Sequence, residues 1–190
     1  PVRKKTVASP ALDDKEEYLL KSIKQYYEEQ MDQDLLEKWI KKSEEVVSAD
    51  IYNTFRKRGI FSDKSKAFNF EQIVEMMSIP EKLHKLTKRW LQVLVNEGII
   101  TCEANAYKAS EISTDLGSEK LWKEFFEIED DFQYSKEFVD YLKESSDLLP
   151  ELIQGKEDPL NILFPKGDTD PALAAYHDNK VNGMLNNIAT

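Results

Sequence analysis

From residue 13 almost to the C-terminus, apolar side chains recur at helical spacing, and one short run breaks the pattern. That run follows Gly98: Ile99, Ile100 and Thr101 are β-branched, and Tyr107 follows an Asn105-Ala106 turn. It predicts a two-stranded β-hairpin over about 99–108. A chain patterned this way is mainly α, with the hairpin as its one extended feature.

The helices can be placed from their punctuation. Residues 1–11, with Pro1 and Pro10, read as a linker. Asp13 and Asp14 can cap a helix over about 13–30, with Tyr18, Leu19, Ile23, Tyr26 and Tyr27 on its apolar face. A second helix starts near Asp32, carries Leu35, Leu36, Trp39, Ile40, Val46, Val47, Ile51, Tyr52 and Phe55, and stops at Gly59. Residues 62–69 read as a polar connector. A short helix follows over about Phe70–Met77, then a longer one from Pro80 to about Asn96 and the hairpin. That is the order of a winged helix, placed at about 44–110.

The rest reads as helical. Leu121, Trp122, Phe125, Phe126 and Ile128 mark one helix, and Phe132, Phe138, Val139, Tyr141 and Leu142 the next. Leu148–Ile153 forms a short helix closed by Gly155, and Asp158-Pro159 opens another turn through Phe164. A last helix starts at Thr169 or Asp170, with Pro171 at its first position, and runs toward the C-terminus.

Charge and composition narrow the function classes. The net charge is −10, and residues 111–160 hold 5 basic and 15 acidic side chains, so the excess sits in that block. A surface of that sign repels phosphate backbones. No apolar run is long enough to span a bilayer. The N-terminus has no apolar stretch after its basic residues and no initiator Met, so it reads as the start of an excised segment, not a secretory signal. The single cysteine, Cys102, fits a reducing, cytoplasmic compartment.

Catalytic devices are scarce. His84 and His177 stand far apart, and no Cys or His cluster has metal-ligand spacing. The six glycines form no G-x-G, so no glycine-rich turn approaches a nucleotide. Glu129, Asp130 and Asp131 read as a solvated helix edge. Lys82, His84, Lys85, Lys88 and Arg89 lie on the helix that a winged helix would place in a DNA groove, and His84 reads as a surface residue. Cys102 reads as a small buried apolar group, and Trp39, Trp90 and Trp122 as core.

The segment Leu149-Pro150 through Gly155, Asp158-Pro159-Leu160 and Leu163-Phe164-Pro165 is distinctive. Gly155 ends one helix, Pro159 starts the next, Leu160, Leu163 and Phe164 pin that turn to the core, and Pro165 stops it. This order resembles the segment preceding the S-adenosylmethionine-binding core in methyltransferase domains of modular polyketide synthases. Arg89-Trp90-Leu91 through Gly98-Ile99-Ile100, and Leu121-Trp122 through Phe126, resemble the same family. Tyr176 and Asn186 match its tyrosine and asparagine before the core, whereas Asn179-Lys180 replaces a Ser-Pro pair and Leu185 replaces an aromatic.

The resemblance implies a helical lid subdomain over 12–168, with 169–190 leading into a core that this sequence does not contain. In such a domain the lid helps to enclose an acyl chain on an acyl carrier protein, and the core methylates the α-carbon of a β-ketoacyl thioester. S-adenosylmethionine would be the parent domain's cofactor, with none expected in this segment, and Tyr176 and Asn186 would approach it only with the core present. The expected partners are that core, neighbouring domains of the synthase and the carrier protein, with no nucleic acid and no membrane. No catalytic or metal residue is expected here. Two alternatives stand: the lid of an oxygen methyltransferase, and a winged-helix DNA-binding or protein-interaction module.

Overall fold

One long helix, α2 (Gln33–Arg56), organises the chain. The structure is a computed structural model that describes residues 17–25, 31–111 and 117–189. Asp32 caps α2 by accepting from the Leu35 amide at 2.9 Å. The helix unwinds through Gly59, whose φ of +82° suits a residue without a Cβ, and the Ile60 amide returns to the Phe55 carbonyl at 3.2 Å. Residues 17–25 form a helix, α1, on which Tyr18 and Leu19 are exposed rather than packed. The other residues of the predicted first helix, Tyr26 and Tyr27 among them, and the 1–11 linker lie outside the described residues.

The two ends of α2 serve two apolar clusters. Ile51, Tyr52 and Phe55 pack with Ile60, Phe61, Ile73, Met77, Leu91, Leu94 and Ile100. Trp39 and Val46 pack with Trp122, Phe125, Phe132 and Val139. Trp39 and Trp122 are buried, and Trp90 packs half-buried against the first cluster, so all three tryptophans are core as expected. Ile40 points outward.

After α2 come β1 (Ala67–Asn69), α3 (Phe70–Met77), a 3-10 turn at Glu81–Leu83, α4 (His84–Asn96), β2 (Ile100–Glu103) and β3 (Ala106–Ala109). The hairpin is where the sequence puts it, but its turn is Ala104-Asn105, both at positive φ, the geometry of a tight primed turn. The supposed polar connector supplies a third strand. β1 pairs antiparallel with β3, Phe68 opposite Tyr107, giving the sheet order β1-β3-β2. Phe68 is the one large apolar residue of that stretch and is buried, which holds the strand down. Asn69 and Gln72 then form a reciprocal capping box that starts α3.

The second half holds α5 (Ser118–Phe132), α6 (Lys136–Asp147), α7 (Leu149–Ile153), α8 (Pro159–Leu163), α9 (Asp170–Tyr176) and α10 (Lys180–Ala189). Phe132 ends α5 instead of beginning α6; Gln133 turns left-handed and Ser135 caps α6. Leu149 and Ile153 return to the first cluster. In α8 the buried residue is Ile162, while Leu160 and Phe164 are exposed, because a five-residue helix turns only one narrow face inward. The single last helix expected from residue 169 is two. The chain breaks at His177–Asn179, where buried Asn179 accepts from the Asn182 amide and donates to the Ala174 carbonyl, capping α10.

Candidate functional site

An acid in the C-terminal part of α2 gathers α5 and α6 around it. Asp50 Oδ2 accepts from Trp122 Nε1 at 2.7 Å and from the Ser146 hydroxyl at 2.6 Å, and Oδ1 accepts from the Ser118 hydroxyl. Three donors from α5 and α6 thus converge on one half-buried carboxylate. Beside it runs an open groove of about 1090 Å³ between α2, α5 and α6. Trp122 and Phe126 give it aromatic surface, and its lining carries both signs of charge, Lys123 and Lys143 together with Glu119, Glu127 and Asp130. Lys143 lies over the Trp122 ring, 5.3 Å from its centroid. Because Asp50 is committed to three donors, it is not itself a free base in the groove.

A second hub lies at the other end of α2. Trp39 Nε1 donates to Glu129 Oε2 at 2.6 Å, and its ring stacks on Tyr134 with centroids 4.4 Å apart. Glu129 also accepts from the Ser135 amide, so it is half-buried and engaged, unlike Asp130 and Asp131, which form the expected solvated edge. Burial, then the Glu129 charge, pushes the Tyr134 phenol above its ordinary value. Lys180 ties α10 to this hub through its amide to the Tyr134 carbonyl at 2.9 Å and its ammonium to the Phe132 carbonyl at 2.6 Å.

The residues singled out from the sequence scatter. Tyr176, at the end of α9, is 77% exposed, and Asn186 lies exposed on α10. His84 is half-buried, edge-on to Phe70, with Nε2 3.3 Å from the Ile79 carbonyl, because α4 turns it back over the preceding turn. Cys102 is exposed, not buried: it shares a face with Ile100, the one buried residue of β2, but lies nearer the hairpin turn, past the packed end of the strand. No group of metal-ligating side chains occurs among the described residues, and none of their helices is long and apolar enough to cross a membrane. The Asp50 cluster was invisible in the sequence: an acid inside an amphipathic helix carries no sign that donors from residues 118, 122 and 146 will meet it.

Arranged this way, the described residues share the fold of part of two carbon methyltransferase structures. The selenomethionine-substituted CurJ carbon methyltransferase superposes with a TM-score of 0.76 at 18% identity, over 91% of this chain and 45% of that one. The DszA carbon methyltransferase superposes with a TM-score of 0.72 at 19% identity, over 86% of this chain and 40% of that one. In sequence, pyochelin synthetase PchF of Pseudomonas aeruginosa (strain UCBPP-PA14) is 25% identical over 118 residues, 62% of this chain and 6% of that protein. This chain thus spans less than half the length of the two structures and a small part of the synthetase. No family model matches it. The resemblance read from Leu149–Pro165 is borne out at the level of the fold.

Proposed function

We propose that this chain is the substrate-enclosing lid of a polyketide-synthase methyltransferase that methylates the α-carbon of a carrier-bound β-ketoacyl chain. The observation that carries this reading is the fold shared with carbon methyltransferases across 91% of the chain and only 45% of the CurJ protein. The C-terminal helices add support. Leu160, Phe164, Leu173, Tyr176 and Leu185 are exposed between α8 and α10, apolar surface of the kind a catalytic core would cover. A covering helical unit serves methyl transfer by holding the acyl chain in one orientation and excluding water from it.

S-adenosylmethionine would be the methyl donor of the parent domain, held by the core and not by this segment. The three strands are short and antiparallel, and among the described residues none runs into a glycine-rich turn opening a helix. Tyr176 and Asn186 would approach the donor only from beside the core. Segment β1 to β3, with α2 before it, serves as a winged-helix-like packing unit within the lid. A cytoplasmic location, and contacts with neighbouring synthase domains, go with this reading.

The test is methyl transfer by this chain together with the residues that follow it in its parent protein. Labelled S-adenosylmethionine and a carrier-bound β-ketoacyl thioester are expected to give label on the α-carbon. Label on oxygen would replace carbon with oxygen chemistry. Tight binding or turnover of S-adenosylmethionine by the 190-residue chain alone would refute the lid reading.

A further inference from the structure

From the 3-10 turn Glu81–Leu83 into the first two turns of α4 runs a strip of crowded cations. Lys82, Lys85, Lys88 and Arg89 are all exposed, and no acidic residue occupies the first turn of α4. Cations at a helix N-terminus oppose the backbone dipole. Cations three or four residues apart on one face also repel each other, as Lys82 with Lys85, Lys85 with Lys88 and Lys85 with Arg89 do. Lys88 finds some relief over the Phe70 ring, 4.5 Å from its centroid. Lys82, Lys85 and Arg89 form no ion pair among the described residues, although the chain carries ten more acids than bases. Leu86 lies among them, 39% exposed.

We propose that this strip is a docking surface for the acidic face of a carrier-protein domain. The proposal rests on the functional reading above, which supplies a carrier as the bearer of the acyl chain. Charge complementarity selects the partner. The cations run about 10 Å along the helix with an apolar side chain in their midst, the scale of one helix laid against another. A thioester-tethered chain also arrives on a phosphopantetheine arm, whose phosphodiester adds negative charge. Nucleic acid fits less well. Glu81 precedes the strip, Glu97 follows it, and exposed Glu71 and Glu75 stand on the preceding helix α3, so the positive field stops where a longer polyanion would continue.

The test is an NMR titration of the isotope-labelled 190-residue chain with a purified, phosphopantetheine-loaded carrier-protein domain. Amide shifts are expected to gather on residues 82–93 and to fade as salt is raised. A K82E/K85E/R89E variant, checked for folding by circular dichroism, is expected to bind at least about tenfold more weakly. Reversing exposed Lys38 and Lys41 on α2 should leave binding unchanged. Shifts that map elsewhere, or no binding at low salt, overturn the proposal. So does tighter binding of a short DNA duplex to the same strip at the same salt. A failed titration with intact methyl transfer by the longer protein would sink the docking surface and leave the lid reading standing.

Discussion

Trp122 donates its indole N–H to Asp50 at 2.7 Å, and through that bond α5 is fastened to the C-terminal part of α2. The same carboxylate receives Ser118 and Ser146, so one side chain satisfies three donors, and Trp122 and Ser146 are buried. Asp50→Ala strands all three. A buried donor left without an acceptor costs about 1–3 kcal/mol, so the loss is expected to be about 3 kcal/mol in total. For a chain of this size that lowers Tm on the order of 10 °C. Asp50→Asn should cost less, because its carbonyl can keep the indole and its amide can donate to a serine hydroxyl. Thermal unfolding followed by circular dichroism ranks the two, and equal losses would contradict the shared-acceptor account.

Gly155 and Gly167 both sit at positive φ, +65° and +84°, yet they should respond differently to alanine. A Cβ at Gly155 would lie 3.1 Å from Pro80 Cγ, where the end of α7 presses on the turn before α4. A Cβ at Gly167 meets nothing within 4 Å. Gly167→Ala is expected to cost about 1 kcal/mol from backbone conformation alone. Gly155→Ala should cost about 2 kcal/mol, strain and crowding together. Urea unfolding measures the difference, and a larger loss at Gly167 would show that Pro80 gives way freely.

These two cases show how far the sequence could be read. Gly155 was legible because a helix stop followed by Asp158-Pro159 is local chemistry. The long helix, the hairpin and the three core tryptophans were legible for the same reason. β1 was not, because three residues pair with a strand some forty positions away and only Phe68 hints at it. The Asp50 cluster was not, because its donors come from two later helices. In α8 the choice between Ile162 and Leu160 as the buried residue depends on where the helix lands, which spacing alone leaves open.

Lys42 joins Glu45 on its own helix at 2.6 Å and Glu124 on α5 at 3.0 Å. The hydrogen bond from Lys42, then the charges of Lys42 and Lys120, hold the Glu124 carboxyl below its ordinary value. The Glu45 hydrogen bond chiefly raises Lys42. A depressed carboxyl stabilises the fold above its unfolded-state value, and that contribution is lost as pH falls through the lower folded value. A raised ammonium stabilises below the ordinary lysine value, and its contribution is lost as pH climbs through the higher folded one. Glu124→Gln is therefore expected to lower Tm slightly at neutral pH, with the gap to wild type closing in acid below the carboxyl range. A gap that persists unchanged in acid would remove Glu124 ionisation as its cause. The exposed setting makes the effect small and sensitive to salt.

The exposed apolar side chains of the C-terminal helices separate a surface meant for water from one meant for a partner. Leu160 is 59% exposed, Leu173 44% and Leu185 50%, so replacing all three by serine removes little packing from the 190-residue chain. Its Tm should stay within about 5 °C, because surface changes away from packed features usually cost under about 0.5 kcal/mol each. Binding of a hydrophobic dye to the folded chain should fall. In a longer protein that carries the proposed catalytic core, the outcome should reverse. There the same residues would be buried against the catalytic core, and each large apolar side chain removed from such an interface costs about 1–3 kcal/mol. Methyl transfer and thermal stability should then fall together in the triple variant. If the longer protein tolerates the three serines as readily as the short chain, these helices do not form the seam between lid and core.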